Sequence, residues 1–241
     1  LNPFVYYLDP FTSERGNPTL IPALTHSTKF NLTYENQPFF SVEYKSTNNA
    51  MVEVTEQEDA SGETFLTTVN LESFKNWNIS LFFPLEFGDS FSGFGGVIAN
   101  YGKYDSEYLN QDFLQSKWDY TAFVQADFKL PAKIKGELAA WYNSGALEGI
   151  VNTQWLYGVD VGFSREFFDD QLNVTFGVEN LFARFMNAEI RYANMNLDLY
   201  NRWDGPVWHL QFTYKFGNQH IKSKKSRSSS AADELSRAQR N

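Results

Sequence analysis

The side chains that could do chemistry in this sequence are few, and their spacing is that of strand faces. Five carboxylates, Asp119, Asp127, Glu137, Asp160 and Glu179, fall at polar positions of alternating segments. Two carboxylates held close together could act as general acid and base. That pairing stays open, with solvation of a polar face as the simpler account. The three histidines, His26, His209 and His220, are scattered, and no HExxH or EF-hand spacing occurs. Gly88-Asp89-Ser90-Phe91-Ser92 lacks the final glycine of a nucleophile elbow. Gly93, Gly95 and Gly96 match neither a dinucleotide nor a phosphate-loop spacing, and no helical pattern follows them. There are no cysteines, which removes disulfides, thiolate nucleophiles and Cys-ligated metals. The expectation is no catalysis, no cofactor and no metal site. Asn31, Asn78 and Asn173 open glycosylation sequons that lie inside strands, where they read as ordinary polar-face residues.

These residues are carried by one repeated element. Val207 to Phe216 alternates throughout, with Trp208, Leu210, Phe212, Tyr214 and Phe216 on one side and Val207, His209, Gln211, Thr213 and Lys215 on the other. A period of two is a strand with one apolar and one polar face. The pattern recurs over 26–35, 39–54, 64–83, 93–101, 118–130, 134–143, 155–164 and 172–179, giving nine strands. Facing is ambiguous over 93–101, and the weak alternation upstream of Trp77 suggests a bulge. Short turns at 36–38, 131–133 and 168–171 alternate with polar loops at 56–63, 105–116 and 144–151. A further turn is expected at 84–90 and a polar region over 180–205. The opening 1–24, with four prolines and no periodicity, reads as a long loop rich in aromatic residues, either ligand-facing or packed on its neighbours.

The chain has 241 residues, 42% apolar and 17% aromatic, with Phe 23, Tyr 13 and Trp 6. Mean hydropathy is −0.43, and no run approaches the length of a transmembrane helix. No amphipathic helix is available to cover nine half-apolar strands. Aromatic-ended strands with long and short connections in alternation are the pattern of an antiparallel transmembrane β-barrel, whose outside faces lipid and whose inside faces water. On that reading the lumen-facing candidates are Lys29, Asn31, Glu35, Glu43, Asp119, Gln125, Asp127, Glu137, Asp160, Glu179, His209 and Gln211. The lipid-facing, aromatic-girdle candidates are Tyr34, Tyr44, Trp77, Phe83, Trp118, Tyr120, Phe128, Tyr142, Tyr157, Phe163, Trp208, Phe212, Tyr214 and Phe216. A soluble β-rich carbohydrate-binding or hydrolase domain, with the aromatics as sugar platforms, is the competing fold.

Charge separates two regions. Residues 217–241 hold six basic and two acidic side chains, a net of +4, which leaves −13 of the overall −9 on residues 1–216. A body so acidic excludes a nucleic-acid partner, and the basic tail reads as a disordered end. Parity sets one more expectation. If long loops are outside, the first and ninth strands both run inward, whereas bacterial single-chain barrels hold even strand counts with both ends periplasmic. Strands upstream of the first are therefore expected, consistent with a start at Leu1-Asn2-Pro3 without initiator Met or signal segment.

LNPFVYYLDP followed by GNPTLIPALTHS before a strand, LPAKIKGELAAWYNS, FFDDQLNVTFGVENLF, and LQFTYKFGN before a basic tail carry a family likeness, in order, across most of the chain. The sequence resembles the C-terminal part of TonB-dependent transporters, in the outer membrane protein β-barrel group of Gram-negative bacteria. The resemblance implies a 22-stranded barrel filled by an N-terminal plug, with residues 1–216 as the last nine strands, 1–24 as an extracellular loop and 217–241 as a periplasmic tail. It implies residence in the cell outer membrane and contact with outer-membrane lipid. It also implies partnership with an upstream plug and strands, with an inner-membrane energy-coupling complex reached through that plug, and with the barrel-assembly machinery that reads the terminal strand at Phe212, Tyr214 and Phe216. The function implied is import of an unidentified substrate. An outer-membrane structural or adhesion barrel without coupled transport is the alternative.

Overall fold

The computed structural model describes residues 4–58, 60–182, 185–203 and 205–216. The opening segment is not a plain loop. Val5–Asp9 (β1) and Thr12–Arg15 (β2) form an antiparallel hairpin, and β2 runs parallel to the start of a later strand at Thr64–Leu66. Phe4, Tyr6, Tyr7, Leu8 and Phe11 are exposed along it.

Leu24–Tyr34 (β3) and Gln37–Gln57 (β4) follow, then Thr64–Phe87 (β5), Phe91–Tyr108 (β6), Gln111–Leu130 (β7) and Ile134–Asn143 (β8). Leu147–Glu148 (β9) and Val151–Thr153 (β10) are short. Leu156–Phe167 (β11), Leu172–Glu179 (β12), Phe185–Tyr192 (β13), Met195–Arg202 (β14) and Val207–Tyr214 (β15) complete the chain. Nine of these, β3 to β8, β11, β12 and β15, pair in sequence as an antiparallel meander, the wall. These nine of the fifteen strands cover the stretches that alternate in the sequence. The sheet is open: β3 and β15 stand at its two ends, and the described residues do not close it into a barrel.

Several boundaries differ from the sequence reading. Residues 105–116 are not a loop. β6 and β7 run on to a two-residue turn at Leu109 and Asn110, both with positive φ, the hairpin geometry whose twist matches the flanking strands. Polarity misled here, because these strand ends stand beyond the apolar band. Residues 84–90 are strand as far as Phe87. Pro84 is tolerated because β4 pairs with β5 only from Leu81 inward, so no ladder bond is lost on that side. The first turn is Glu35-Asn36, one residue earlier than expected, with Glu35 at a φ of 50°. Glu35 therefore belongs to the turn and not to the polar face of β3. Trp155 precedes β11 and Phe216 follows β15. The 180–205 region holds the β13–β14 hairpin, which joins β10 and β9 in a separate four-stranded sheet, order β14-β13-β10-β9. These strands enter as a pair and leave the wall count at nine. The tail lies outside the described residues.

The two ends of the wall differ. One, the turn end, carries short connections at 35–36, 88–90, 131–133 and 168–171. At the other, the loop end, β4 to β7 extend past their neighbours, and the four-stranded sheet folds over one face of that extension as a roof. The apolar core lies there. Leu71, Ile190, Phe113 and Val54 are at most 1% exposed, and Tyr104, Tyr108, Ile150 and Met195 join them. Aromatic stacking of Phe74 on Tyr104 and of Tyr108 on Tyr192, with Phe113 edge-on to Tyr192, fills the contact.

The weak alternation upstream of Trp77 has a structural cause. The β4–β5 pairing skips Asn49 and Glu72, and Asn49 has a φ of 53°. Strict alternation would put Leu71 and Phe74 on opposite faces, yet both pack in the roof core. The irregularity turns Val52, Val54, Val69 and Leu71 to the roofed side. Asn70 covers the freed backbone. Its side-chain amide donates to the carbonyls of Asn49 and Ile21 at 2.8 and 2.9 Å and accepts from Ile21 N–H at 2.9 Å. The segment leading into β3 is pinned to the wall by these bonds and by Asn17, which donates to Thr68 O at 2.9 Å.

Candidate functional site

Direct pairing puts side chains of neighbouring strands on the same face, so register sorts the wall into two surfaces. Trp77 lies opposite Tyr44 and Tyr101, and Tyr101 opposite Trp118. The same face continues through Tyr142 and Tyr157, then Phe163, Phe176 and Leu210. It carries the expected aromatic set from Tyr44 to Tyr214. The formerly ambiguous Val97, Ala99 and Tyr101 of β6 belong to it. Trp208, Leu210 and Phe212 are about 60% exposed, at 62, 59 and 64%. Large apolar groups this accessible across adjoining strands mark an interaction surface. The rings gather at two levels. Tyr44 with Trp77, Tyr101 with Trp118 and Tyr120, and Trp155 with Tyr157 stack toward the loop end. Phe87, Phe91 and Phe128 pack together toward the turn end, and Tyr214 meets Phe216 there.

The opposite face is polar. Lys29, Asn31, Glu43, Asp119, Gln125, Asp127, Glu137, Asp160, Glu179, His209 and Gln211 all share it by register. Its side chains are bonded into ladders across strands. The Ser80 hydroxyl donates to Asn78 Oδ1 at 2.9 Å, the Asn78 amide to Asn100 Oδ1 at 2.6 Å, and the Asn100 amide to Asp119 Oδ1 at 2.9 Å. Ser27 donates to Glu43, Asn143 to Thr121, and Asn180 N–H to Asp160 Oδ1. Asp127 stands directly across from Glu137. His209 Nδ1 is 3.9 Å from Glu179 Oε1, an approach too long for a hydrogen bond. Among the described residues no three His, Asp or Glu side chains come together in a way that could hold a metal ion.

Two features of this face were not read from the sequence. Phe82, Phe94 and Phe123 cluster on it, with ring centroids 6.0 to 6.2 Å apart, over Gly96. Phe94 lies in the stretch whose facing the sequence left open, while Phe82 and Phe123 take polar-face positions of strands whose facing was read. Two glycines leave room for large neighbours. A Cβ at Gly158 would lie 2.5 Å from Trp141 Nε1, and one at Gly177 would lie 2.2 Å from His209 Nε2. Both rings lie across the backbone of the next strand.

The roof covers the polar side of the loop-end extension. Lys117 donates to Asn152 Oδ1 at 2.7 Å and Thr153 O at 3.0 Å. The Tyr192 hydroxyl lies 2.6 Å from Tyr108 O and 3.1 Å from Gln111 O, and Gly149 N–H donates to the Tyr104 hydroxyl. Tyr108 donates to Glu56 at 2.6 Å. Burial first, and the Glu56 carboxylate second, push the Tyr108 hydroxyl well above the ordinary tyrosine value, and burial raises Tyr104. Between β7 and the roof lies a cleft of about 240 Å³, bounded by Gln115, Lys117, Asn152, Glu189 and Arg191. Arg191 is tied to Asp198 and to Leu197 O.

No helix of the described residues is long and apolar enough to cross a membrane, a fact that does not bear on crossing by strands. The model of one known family, described as the outer membrane protein beta-barrel family, matches residues 1–214. No curated protein and no solved structure matches the chain.

Proposed function

This chain belongs to the outer membrane protein beta-barrel family, and from that premise we propose that it is C-terminal wall of a TonB-dependent receptor that imports a substrate across the outer membrane. The membership sets the cell outer membrane as its location and lipid as its surroundings, which displaces the soluble-domain reading. The observation that carries the proposal is the nine-strand meander, with one aromatic-rimmed apolar face, one polar face and two unpaired edges. The apolar face meets lipid and the polar face lines the lumen. In hydrocarbon an unpaired edge leaves backbone groups without partners, so the sheet must close. β3 and β15 run in the same direction, so antiparallel closure takes an odd number of further strands. In this reading they belong to the same polypeptide, as does a plug that meets the polar face and reaches the inner-membrane energy-coupling complex. The roof and loop end are extracellular, the short turns periplasmic, and β15 with Phe216 is the strand presented to the barrel-assembly machinery. The wall itself performs no catalysis. A structural or adhesion barrel would share the wall and lack the plug.

The test is the apparent mass of the native polypeptide in isolated outer membranes, detected with an antibody to residues 222–241. The expected band is several times larger than 27.8 kDa and shifts on boiling. A membrane band near 27.8 kDa refutes closure within one polypeptide. A large band whose sequence lacks a plug refutes coupled transport and leaves the adhesion barrel.

A further inference from the structure

β8 accompanies β7 for only half of its length. Their pairing runs from Leu130–Ile134 to Thr121–Asn143 and stops. Ser144 closes it: its N–H donates to Tyr120 O, and its hydroxyl accepts from Tyr120 N–H, both at 2.9 Å. Beyond that point β7 continues to Gln111 with β6 on one side. The Tyr120 N–H and C=O point to the β8 side, so alternation aims those of Leu114, Ser116 and Trp118 the same way. No described residue pairs with them. This bare edge is one wall of the 240 Å³ cleft, since Ser116, Gln115 and Lys117 line it from β7 while Asn152, Glu189 and Arg191 line it from the roof. The Lys117 ammonium has three donors, and two are engaged, by Asn152 and Thr153.

We propose that this edge and cleft bind an extended peptide with an acidic side chain, by adding it as a strand antiparallel to β7 in line with β8. Main-chain groups of the peptide pair with Leu114, Ser116 and Trp118, which is the source of affinity in strand addition, and alternate side chains enter the flanking pocket. The acidic group meets the free donor of Lys117 as a charge-assisted hydrogen bond. A sugar fits the cleft less well, because a row of alternating N–H and C=O groups at strand spacing matches another backbone. The inference rests on the edge alone. It uses the orientation proposed above only to say that the peptide arrives from outside, so failure of the receptor reading would leave the binding test unaffected.

The probe is a fluorescein-labelled nonapeptide of alternating threonine and glutamate, added to the full-length protein purified from outer membranes in detergent. A second copy carries N-methyl groups at alternate backbone nitrogens and cannot pair as a strand. Ser116→Pro removes one edge donor, and a proline is tolerated where the N–H faces away from the ladder. The expected result is saturable anisotropy binding that slows amide exchange at Leu114, Ser116 and Trp118. It should weaken about 2- to 10-fold with Ser116→Pro, the loss of one hydrogen bond to a strand edge, and by more with the N-methylated peptide, which loses several. Lys117→Gln should weaken the glutamate peptide and leave its glutamine counterpart unchanged. Absence of binding at millimolar peptide, binding indifferent to both N-methylation and Ser116→Pro, or amides at these three positions already protected in the free protein would each overturn the proposal.

Discussion

An arginine placed at Val124 should be far more damaging than one placed at the next residue. Val124 lies on the aromatic-rimmed face of β7, paired with Gly95 and Ala140 at mid-wall. Gln125 lies beside it on the polar face. Trp118 and Phe128 mark the two ring levels on this strand, ten residues apart. At a rise of ~3.3 Å per residue and a tilt of ~40°, that interval spans about 25 Å of height, the usual apolar band of an outer-membrane barrel. Val124 sits six residues from Trp118, which puts it within about 3 Å of the midplane by the same geometry. Arginine on the lipid face at that depth costs about 2–4 kcal/mol, and on the lumen face close to nothing. At 1.4 kcal/mol per tenfold, Val124→Arg should lower the folding equilibrium constant by about 30- to 700-fold. Gln125→Arg should shift it by less than threefold, roughly the surface-substitution range. The assay is urea-dependent folding of the full-length protein into lipid vesicles, read by heat-modifiable gel mobility. Equal penalties at the two positions, or the larger one at Gln125, would refute the assignment of faces.

Leu71→Ala should open the roof by about 2–5 kcal/mol, the range for a buried leucine, seen as faster amide exchange in β10 and β13 with the central wall unchanged. Gly177→Ala should cost about 1–3 kcal/mol because its Cβ overlaps His209, and His209→Ala should restore most of that loss in a double-mutant cycle. Tyr108 has a raised folded pKa, so its contribution to roof stability is fully present below the unfolded tyrosine value of ~10 and is lost as pH rises above it. Absorbance at 295 nm should therefore show a late-titrating tyrosine, moved to lower pH by Glu56→Gln.

Much of the wall was legible because one face of each strand must be apolar, and a period of two survives in sequence. Trp208 to Tyr214 and Trp118 to Leu130 share their faces as read, and Phe216 lies past the last paired residue. The roof was not legible for a different reason. β9 and β10 are two and three residues long and have no period to detect. β14 carried a signal in the alternation of Met195, Leu197 and Leu199 with Asn196 and Asp198, obscured by the charge density around it. β6 and β7 were cut short at 105–116 because their ends leave the apolar band and become as polar as a loop. The polar face was found, but its Phe82–Phe94–Phe123 cluster was not, since an aromatic residue there breaks the same alternation that identifies the strand. The β7 edge could not be read at all: only pairing shows that β8 stops at Asn143 while β7 goes on.

The skipped pair at Asn49 and Glu72 gives one continuous ribbon two reading frames. On one side of it the strands are phased to a lipid slab; on the other they are phased to a protein interior. Because the phase is reset locally, residues can be gained, lost or exchanged in the roofed segment without rotating Trp77 or Tyr44 out of the bilayer. Regular strand geometry at Asn49 and Glu72, with both residues kept, would join the two frames and drive Val52 and Val54 toward the outside of the roof. The irregularity therefore works as a splice point, and it lets the roofed part of the wall diversify while the embedded part stays under the fixed grammar of the membrane.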